Sequence, residues 1–260
     1  MKNKLIEISV KTRELSPLVH CITGEVSANI CANGVLALGA RPICAQHPRE
    51  VEEITSSCDA LLINFSGITS EKLKAIRISL NTAKKMDIPV VLDVVGIACS
   101  RYRKSIAKRI IKKYKPDVVK GNYSEIYALF DDSFTSSGVD DGGKVEEREI
   151  ILVAKTLSER YKTIILASGK TDVVYSGSSC YLIKNGTPYL TTVTGTGCLL
   201  GAITATFLAS DRSAYSAVSA CARLGIAGEK AEGDCFSVRF IENLSKPSFS
   251  EDFKIEEVCL

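Results

Sequence analysis

Residues 60–95 read ALLINFSGITSEKLKAIRISLNTAKKMDIPVVLDVV, and this stretch decides the fold class. Ala60–Asn64 is a short apolar run of the kind that forms a buried strand. Ser70 then caps a predicted helix that runs to about Lys85 and carries an apolar face, and residues 89–95 predict the next strand. A strand, a helix and a second strand in succession are typical of a parallel βαβ unit. The sequence therefore predicts an α/β protein.

The same alternation continues along the chain. Predicted helices cover residues 101–114, 123–130, 149–161, 197–209, 214–232 and 240–244, and further strands cover residues 117–119 and 163–167. Residues 173–175, 180–183 and 189–190, joined by Gly177 and the Asn185-Gly186 turn, predict a local antiparallel section. Residues 131–147 are acidic and rich in Ser and Gly, which predicts a mobile surface segment. We expect one domain over residues 1–260, with a mostly parallel central sheet flanked by helices.

Composition argues against several classes of function. The chain has 260 residues, 45% hydrophobic content and a formal net charge of +3 with both signs interspersed, so it lacks the basic stripe of a nucleic-acid-binding protein. No apolar run reaches the ~18 residues that span a bilayer, and the N-terminus is charged without a signal-peptide core. We expect a cytoplasmic protein with no nucleic-acid or membrane partner.

Ten cysteines are spread over the whole chain, and no two of them form a C-x-x-C pair. In a chain that can bury its own core, this distribution favours reduced thiols over a disulfide framework or a zinc site. Cys31, Cys58, Cys221 and Cys235 have small or apolar neighbours, which predicts core positions. For the two histidines, we expect a structural hydrogen-bonding role rather than catalysis for His20, and a position on the surface or at a pocket rim for His47.

The strongest chemical feature is Thr194-Gly195-Thr196-Gly197-Cys198, which a small apolar helix follows at once. Two glycines allow the backbone to approach a ligand, and a helix that begins there directs unpaired N–H groups and its positive dipole end at that ligand. A phosphoryl group is the natural occupant. At the first turn the dipole favours the thiolate of Cys198, so the sequence predicts a lowered pKa and a candidate base. The alternative is that the glycine turn only packs the helix, with Cys198 as filler.

Two further segments place polar side chains at strand ends. Asn122 and Glu125 follow one predicted strand, and Asp93 ends another. Strand-end carboxylates suit Mg²⁺, usually held through waters beside substrate phosphates. Taken separately, Glu125 is equally well explained as a helix-start acid and Asp93 as a turn residue. Their joint occurrence with the glycine turn favours a phosphate-handling site.

Together these segments resemble the hydroxyethylthiazole kinase family of thiamine-precursor salvage, within the ribokinase-like superfamily. The resemblance begins at residues 16–23, includes Asn29 and the motifs at 32–33, 38–42, 92–93 and 95–96, and ends with residues 121–122, 124–126 and 193–198. A cysteine at position 198 is diagnostic, because related kinases of the superfamily usually carry aspartate there. The resemblance implies a ribokinase-like three-layer sandwich.

The resemblance also implies an activity, transfer of the ATP γ-phosphate to the hydroxyl of 4-methyl-5-(2-hydroxyethyl)thiazole. Cys198, Gly197, Thr196 and Gly195 are then the catalytic group, with Cys198 as base or positioning group. Lys120, Asn122, Ser168 and Thr194 are implied to bind ATP, Asp93 and Glu125 to organise Mg²⁺, and Cys44, Gly195, Val26 and Asn29 to bind the thiazole. The family is typically a homotrimer with thiazole sites between subunits, so the same assembly is implied.

Several positions depart from the family pattern. The family has Asn at Gly24, Val at Ser27, Met at Cys44 and an ATP-contacting Arg at Lys120, and the stretches after Asp93 and Gly96 also differ. An altered pocket keeps open a second hypothesis, a kinase of another small heterocyclic or pyrimidine alcohol. The Arg-to-Lys change loses a bidentate fork and keeps open a third, a paralogue that binds ligand without turnover.

Overall fold

Nine strands of the described residues form one sheet in the computed structural model, which describes residues 1–136, 145–246 and 252–259. The strands are β1 (Leu18–Ile22), β2 (Arg41–Ile43), β3 (Ala60–Asn64), β4 (Val90–Asp93), β5 (Val118–Asn122), β6 (Ile164–Ser168), β7 (Asp172–Ser176), β8 (Ser179–Ile183) and β9 (Ile255–Cys259). Their order in the sheet is β2-β1-β3-β4-β5-β6-β7-β8-β9. Neighbours from β2 to β6 pair in parallel and those from β6 to β9 pair antiparallel, so the expected mostly parallel sheet is confirmed.

Helices cover both faces of the sheet, and each face has its own apolar core. The helices are α1 (Lys2–Leu15), α2 (Glu25–Ala37), α3 (Val51–Ser56), α4 (Ser70–Met86), α5 (Arg101–Tyr114), α6 (Tyr123–Phe130), α7 (Glu147–Tyr161), α8 (Thr196–Leu208), α9 (Ala214–Glu229) and α10 (Phe236–Ser245). Helices α1, α2, α8, α9 and α10 pack on one face, and α3 to α7 on the other. The result is the expected three-layer α/β arrangement.

Helix α8 positions the first functional segment because it is apolar on all sides. Ten of its residues, from Leu199 to Leu208, are buried. A helix that is hydrophobic all round must be enclosed, and α8 is enclosed between α2, α9 and strands β3 and β4. Its N-terminus therefore stands at the carboxyl ends of the parallel strands, where ligands bind in open α/β sheets.

The antiparallel part of the sheet differs from the prediction. Tyr189-Leu190 was predicted as a strand, which is wrong, because both residues lie in a 3₁₀ helix, Pro188–Thr192, with Pro188 at its first position. Gly177, at φ +61°, does join β7 to β8. Asn185 does not turn the chain into a neighbouring strand, since its side chain donates to Asp252 O at 2.8 Å and accepts from Lys254 N at 2.9 Å. The third antiparallel partner is β9.

Two smaller predictions, the capping residue of α4 and the burial of Cys235, are wrong. The cap of α4 is Thr69 rather than Ser70, because Thr69 Oγ1 accepts from Lys72 N at 3.1 Å. Cys235 is exposed at the start of α10, whereas Cys31, Cys58 and Cys221 are buried as expected. Most of the predicted mobile segment, residues 137–144, lies outside the described residues. None of the helices that the structure describes has the length and apolarity needed to cross a membrane.

Candidate active site

A polar row crosses three neighbouring strands at their carboxyl ends. The parallel register pairs Asn64 of β3 with Asp93 of β4, and Asp93 with Lys120 of β5. Residues paired in this way project from the same face of a sheet, so their side chains meet. Asn64 Nδ2 donates to Asp93 Oδ2 at 2.7 Å, and Lys120 Nζ donates to Asp93 Oδ1 at 3.1 Å. All three side chains are buried.

The ammonium group of Lys120 connects this row to α8. Besides Asp93 it contacts the carbonyl oxygen of Gly197, in the first turn of α8, at 2.9 Å. Burial opposes the charge on Lys120, but the nearby carboxylates of Asp93 and Glu125 raise its pKa. Burial raises the pKa of Asp93 while Lys120 lowers it. Lys120 therefore lies within the site, and its charge is already paired with a carboxylate.

The glycine turn at residues 194–198 has the conformation that its sequence predicts. Gly195 caps α8 with φ +90°, a left-handed conformation that favours glycine, and it packs against Ser27 and Ile30 of α2. Thr196 Oγ1 donates to Leu190 O at 2.9 Å and fixes the turn to the preceding 3₁₀ helix. Helix geometry leaves the N–H groups of Thr196, Gly197 and Cys198 without acceptors in the helix. Gly197 and Thr194 are exposed, so this helix start is open to solvent.

Cys198 is half-buried between the polar row and α2, with hydrogen bonds to Asn64 and Ser27. The expectation that the helix dipole lowers its pKa is wrong for this structure. Burial raises the pKa of the thiol, and the negative charge of Asp93 raises it further, against smaller opposite effects of Lys120, Asn64 and Ser27. The geometry thus favours a protonated sulfur that donates or accepts a hydrogen bond.

Asn122 ends β5, and Glu125 lies in the first turn of α6, which packs on the face of the sheet opposite α8. They form a capping box, in which Glu125 N donates to Asn122 Oδ1 and Asn122 N donates to Glu125 Oε2, both at 2.8 Å. Glu125 Oε1 accepts from Gly96 N at 2.6 Å, which ties the loop after β4 to α6. Burial raises the pKa of Glu125 to about 7 although Lys120 lowers it. Ser168, on the neighbouring strand, donates to Gly121 O at 3.3 Å.

The two carboxylates do not fit direct coordination of Mg²⁺. Protein groups already donate to each of the four carboxylate oxygens of Asp93 and Glu125, and both side chains are buried. Among the residues that the structure describes, no three His, Cys, Asp or Glu side chains cluster as a metal site. Contact through bridging waters is the remaining route for the predicted Mg²⁺-organising role, which stays a prediction.

Comparisons with known proteins agree with this geometry. The model of the Hydroxyethylthiazole kinase family matches residues 10–248. The chain is 38% identical over 260 residues to "Hydroxyethylthiazole kinase 2" of Clostridium botulinum (strain Hall), with 97% of each chain covered. The chain belongs to the hydroxyethylthiazole kinase family. The structure of the hydroxyethylthiazole kinase protein from Pyrococcus horikoshii OT3 matches with a TM-score of 0.89 and 31% identity, covering 98% of this chain and 99% of that one.

The fold is also shown by a more distant structure. A ribokinase-like superfamily protein from Enterococcus faecalis V583 matches with a TM-score of 0.67 at 13% identity, covering 94% of this chain and 93% of that one. At this identity the likeness concerns the fold alone. The expected ribokinase-like three-layer sandwich is therefore confirmed.

One departure from the hydroxyethylthiazole kinase pattern has a clear physical cause. The residue Gly24 caps α2, and a Cβ atom placed on it would lie 2.5 Å from Ser66 Oγ and 2.9 Å from Ser66 O. The Asn that is usual in the family has no space there, because the loop after β3 approaches α2 closely. This close approach brings the loop after β3 beside the residues that surround Cys198.

Three of the residues implied to bind thiazole are exposed, and two of these three lie on α2. Val26 is 74% exposed, and Asn29 is exposed with its Oδ1 accepting from Asn33 Nδ2 at 3.0 Å. Cys44 is exposed at the end of β2. The buried residue of α2 at this point is Ser27, whose Oγ lies 2.8 Å from Thr23 Oγ1 and which also bonds to Cys198.

Sequence reasoning missed two residues of the site. Asn64 had a signal in the sequence, since a polar residue ends an otherwise apolar strand just as Asp93 does. Lys72 had none, because lysines are ordinary on amphipathic helices. It is 3% exposed and its ammonium donates to Ser66 O. Burial lowers the pKa of its ammonium group to about 8, against a smaller opposite effect of Cys198.

Of the two histidines, only His20 is enclosed by protein groups. Its Nδ1 lies 2.9 Å from Thr55 Oγ1 and its Nε2 lies 2.8 Å from Ala45 O. Both ring nitrogens are thus used in holding α3 and the loop after β2 against β1. The expected structural role of His20 is confirmed, and His47 is exposed as expected.

Proposed function

We propose that this chain transfers the γ-phosphate of ATP to the hydroxyl group of 4-methyl-5-(2-hydroxyethyl)thiazole, in the cytoplasm, as part of thiamine-precursor salvage. The observation that carries the proposal is the helix start at Gly195–Cys198, open to solvent at the carboxyl edge of the sheet and beside the row Asn64, Asp93 and Lys120. Backbone N–H groups at such a helix start stabilise the charge that develops on a transferring phosphoryl group.

In the proposed reaction, the oxygen of the alcohol forms a bond to the γ-phosphorus while the bond to the β,γ-bridging oxygen breaks; ADP leaves, and the proton of the hydroxyl is released to solvent. The transition state is loose in most analyses of such transfers, so positioning and charge stabilisation contribute more than a strong base. Mg²⁺, bound with ATP, supplies neutralisation of phosphate charge. Thr194, Asn122 and Ser168 border the same edge and are our candidates for nucleotide contacts.

Cys198 has a positioning role in this proposal. Because its pKa is raised, the sulfur is protonated at neutral pH and suits a hydrogen bond with the acceptor hydroxyl. The Asn64 and Ser27 side chains orient it. Lys120 acts indirectly in this proposal. Its ammonium group donates to the carbonyl oxygen of Gly197 and so fixes the direction of the first turn of α8.

The direct test is ADP formation that depends on the thiazole alcohol. We expect turnover with Mg-ATP and the alcohol together, and a loss of at least about 10²-fold in kcat for Cys198→Ala, the scale of one preorganised transition-state contact. Cys235→Ala is the matched control, because Cys235 also stands at a helix N-terminus but is exposed and belongs to α10. Full activity of the Cys198→Ala protein would remove this role for the sulfur.

A panel of acceptor alcohols separates the thiazole kinase from a kinase of another heterocyclic alcohol. The departures at Ser27 and Cys44 motivate this alternative, because both change side chains near the expected acceptor pocket. Turnover with a pyrimidine alcohol and none with the thiazole would reassign the substrate and leave the phosphotransfer site intact. Calorimetric binding of ligand with no ADP over hours would favour a non-catalytic paralogue.

We also propose a homotrimer with acceptor sites between subunits. Exposed Val26 and Asn29 on α2, next to the Gly195 turn, support this arrangement, because a partner subunit would cover them. Light scattering after gel filtration tests the mass. Val26→Asp is expected to lower both the mass and the affinity for the alcohol, whereas Val238→Asp, at a position that is 70% exposed on α10, is the control.

A further inference from the structure

Cys21 and Cys44 lie side by side at the carboxyl ends of two neighbouring strands. Strand β1 pairs in parallel with β2 as far as His20 with Ile43, so the next residues along the two chains, Cys21 and Cys44, adjoin each other. The thiol of Cys21 donates a hydrogen bond to the sulfur of Cys44. Neighbouring strands are about 4.8 Å apart, and disulfide-bonded residues have Cα atoms about 4.4–6.8 Å apart. A bond between the two sulfurs therefore needs little movement of the backbone.

The two thiols differ in exposure and in pKa, so that one of them reacts first and the other resolves the adduct. Cys44 is exposed, whereas Cys21 is 1% exposed. The hydrogen bond from Cys21 lowers the pKa of Cys44 to about 7, although partial burial opposes the effect. The same hydrogen bond and burial raise the pKa of Cys21. Cys44 is thus the thiol that reacts first with a reagent from solvent, and Cys21 is the thiol behind it.

The pair adjoins the candidate site rather than a remote surface. Cys21 belongs to the same apolar core as Leu199, on the face of the sheet that α2 and α8 cover. Cys31 of α2 is buried, and burial raises the pKa of its thiol; both Cys198 and Cys44 are near enough to influence it. Cys44 is itself one of the residues implied to bind the thiazole, so a change at its sulfur is expected to alter the acceptor pocket.

We propose that Cys44 is a modification site that reacts with low-molecular-weight disulfides, and that Cys21 resolves the adduct into a Cys21–Cys44 disulfide which alters acceptor binding. The Cys44 thiolate attacks one sulfur of the small disulfide, a mixed disulfide forms, and one small thiolate leaves. Cys21 then loses its proton and attacks the Cys44 sulfur, and the second small thiolate leaves. Two protein thiols are oxidised, one small disulfide is reduced to two thiols, and reduction by excess thiol reverses the reaction.

Disulfide mapping tests the thiol chemistry without any kinase assay. The folded protein is incubated with glutathione disulfide, blocked with N-ethylmaleimide and digested, unreduced, with a protease that cleaves after glutamate. Cleavage after Glu14, Glu25 and Glu50 places Cys21 on fragment 15–25 and Cys44 on fragment 26–50. We expect these two fragments to be linked, and the link to disappear after dithiothreitol.

Three variants assign the linked sulfurs. Cys44→Ala and Cys21→Ala are expected to abolish the link, while Cys31→Ala is the control that keeps it, because Cys31 shares fragment 26–50 with Cys44. The proposal is overturned if glutathione stays on Cys44 without a link, if the link persists in Cys44→Ala, or if it forms only in urea.

The effect on acceptor binding rests on the proposed function, whereas the link itself does not. We expect the oxidised enzyme to show a KM for the thiazole alcohol raised by about 10-fold, the scale of one altered pocket contact, with the KM for ATP unchanged and full recovery after reduction. A link with no thiazole-dependent turnover before oxidation would refute the proposed function alone. Normal turnover with no link would refute this proposal alone.

Discussion

Replacing Lys120 by Met tests the buried ion pair that joins the sheet to α8. Lys120 Nζ lies 3.1 Å from Asp93 Oδ1, and the two side chains are 4% and 0% exposed. At an effective dielectric constant of about 20, unit charges at this separation attract each other by about 5 kcal/mol. Removal of one partner leaves a buried charge unpaired, which typically costs about 3–5 kcal/mol. The same change also removes the hydrogen bond to Gly197 O.

Thermal denaturation measures this cost. For a chain of this size, 1 kcal/mol corresponds to about 2–4 °C in Tm, so Lys120→Met is expected to lower Tm by about 6–20 °C. The double variant Lys120→Met/Asp93→Asn is expected to lose clearly less than the sum of the two single variants, because neither charge remains buried alone. Thiazole-dependent turnover should fall in Lys120→Met and in the double variant, because in both proteins the first turn of α8 loses its anchor.

An exposed ion pair supplies the matched control for this experiment. Lys74 Nζ lies 2.7 Å from Glu71 Oε1, closer than the buried pair, but the side chains are 61% and 65% exposed. Pairs of this kind contribute less than about 0.5 kcal/mol, so Lys74→Met should shift Tm by no more than about 2 °C. A Lys120→Met protein that matches this control, or single and double variants that add within about 0.5 kcal/mol, would refute the role given to burial.

Three further predictions follow from contacts around the site. Glu125→Gln should lower stability by about 1–3 kcal/mol, because an amide group cannot accept from both backbone N–H groups that the carboxylate now satisfies, and urea denaturation measures the loss. Gly34→Ala should cost about 1–3 kcal/mol through overpacking, since its Cβ atom would lie 2.1 Å from Leu199 Cδ1. Because Leu199→Ala removes this contact but leaves a cavity of its own, the double variant should lose less than the sum of the two single losses in the same titration. The rate of Cys44 alkylation by iodoacetamide, followed by mass spectrometry, should rise with pH through a midpoint of about 7, because only the thiolate reacts. In Cys21→Ala the hydrogen bond is lost and this midpoint should move up towards about 8.5; an unchanged midpoint would contradict the assigned donor.

The elements that local pattern predicts are those whose partners lie nearby in the sequence. The apolar strand Ala60–Asn64 and the helices Arg101–Tyr114 and Tyr123–Phe130 have the predicted bounds, because burial periodicity and capping residues act within a few residues. Strand β9 was missed because its ladder partner is β8, far back in the chain. Its residues, Ile255–Cys259, include two glutamates and give little apolar alternation on their own.

Helix α1 was also missed, because the contacts that define it come from distant parts of the sequence. Helix α1 buries only Leu5, Ile8 and Thr12, so charged residues dominate its sequence and hide the periodicity. Thr12 Oγ1 donates to the hydroxyl of Ser210, just beyond the end of α8, at 2.9 Å. Tertiary contact with α8 and α9 therefore defines this helix, and local propensity adds little.

Cys198 shows where a local rule is outweighed by contacts from elsewhere in the chain. Its position in the first turn of α8 predicts a lowered pKa from the helix dipole. The fold adds burial against α2 and places the carboxylate of Asp93 near the sulfur, and both raise the pKa. Within a low-dielectric site, a neighbouring full charge and desolvation exceed the half-charge of a helix end that is open to water. The helix start can therefore direct its positive end at a phosphate while the sulfur beside it stays neutral.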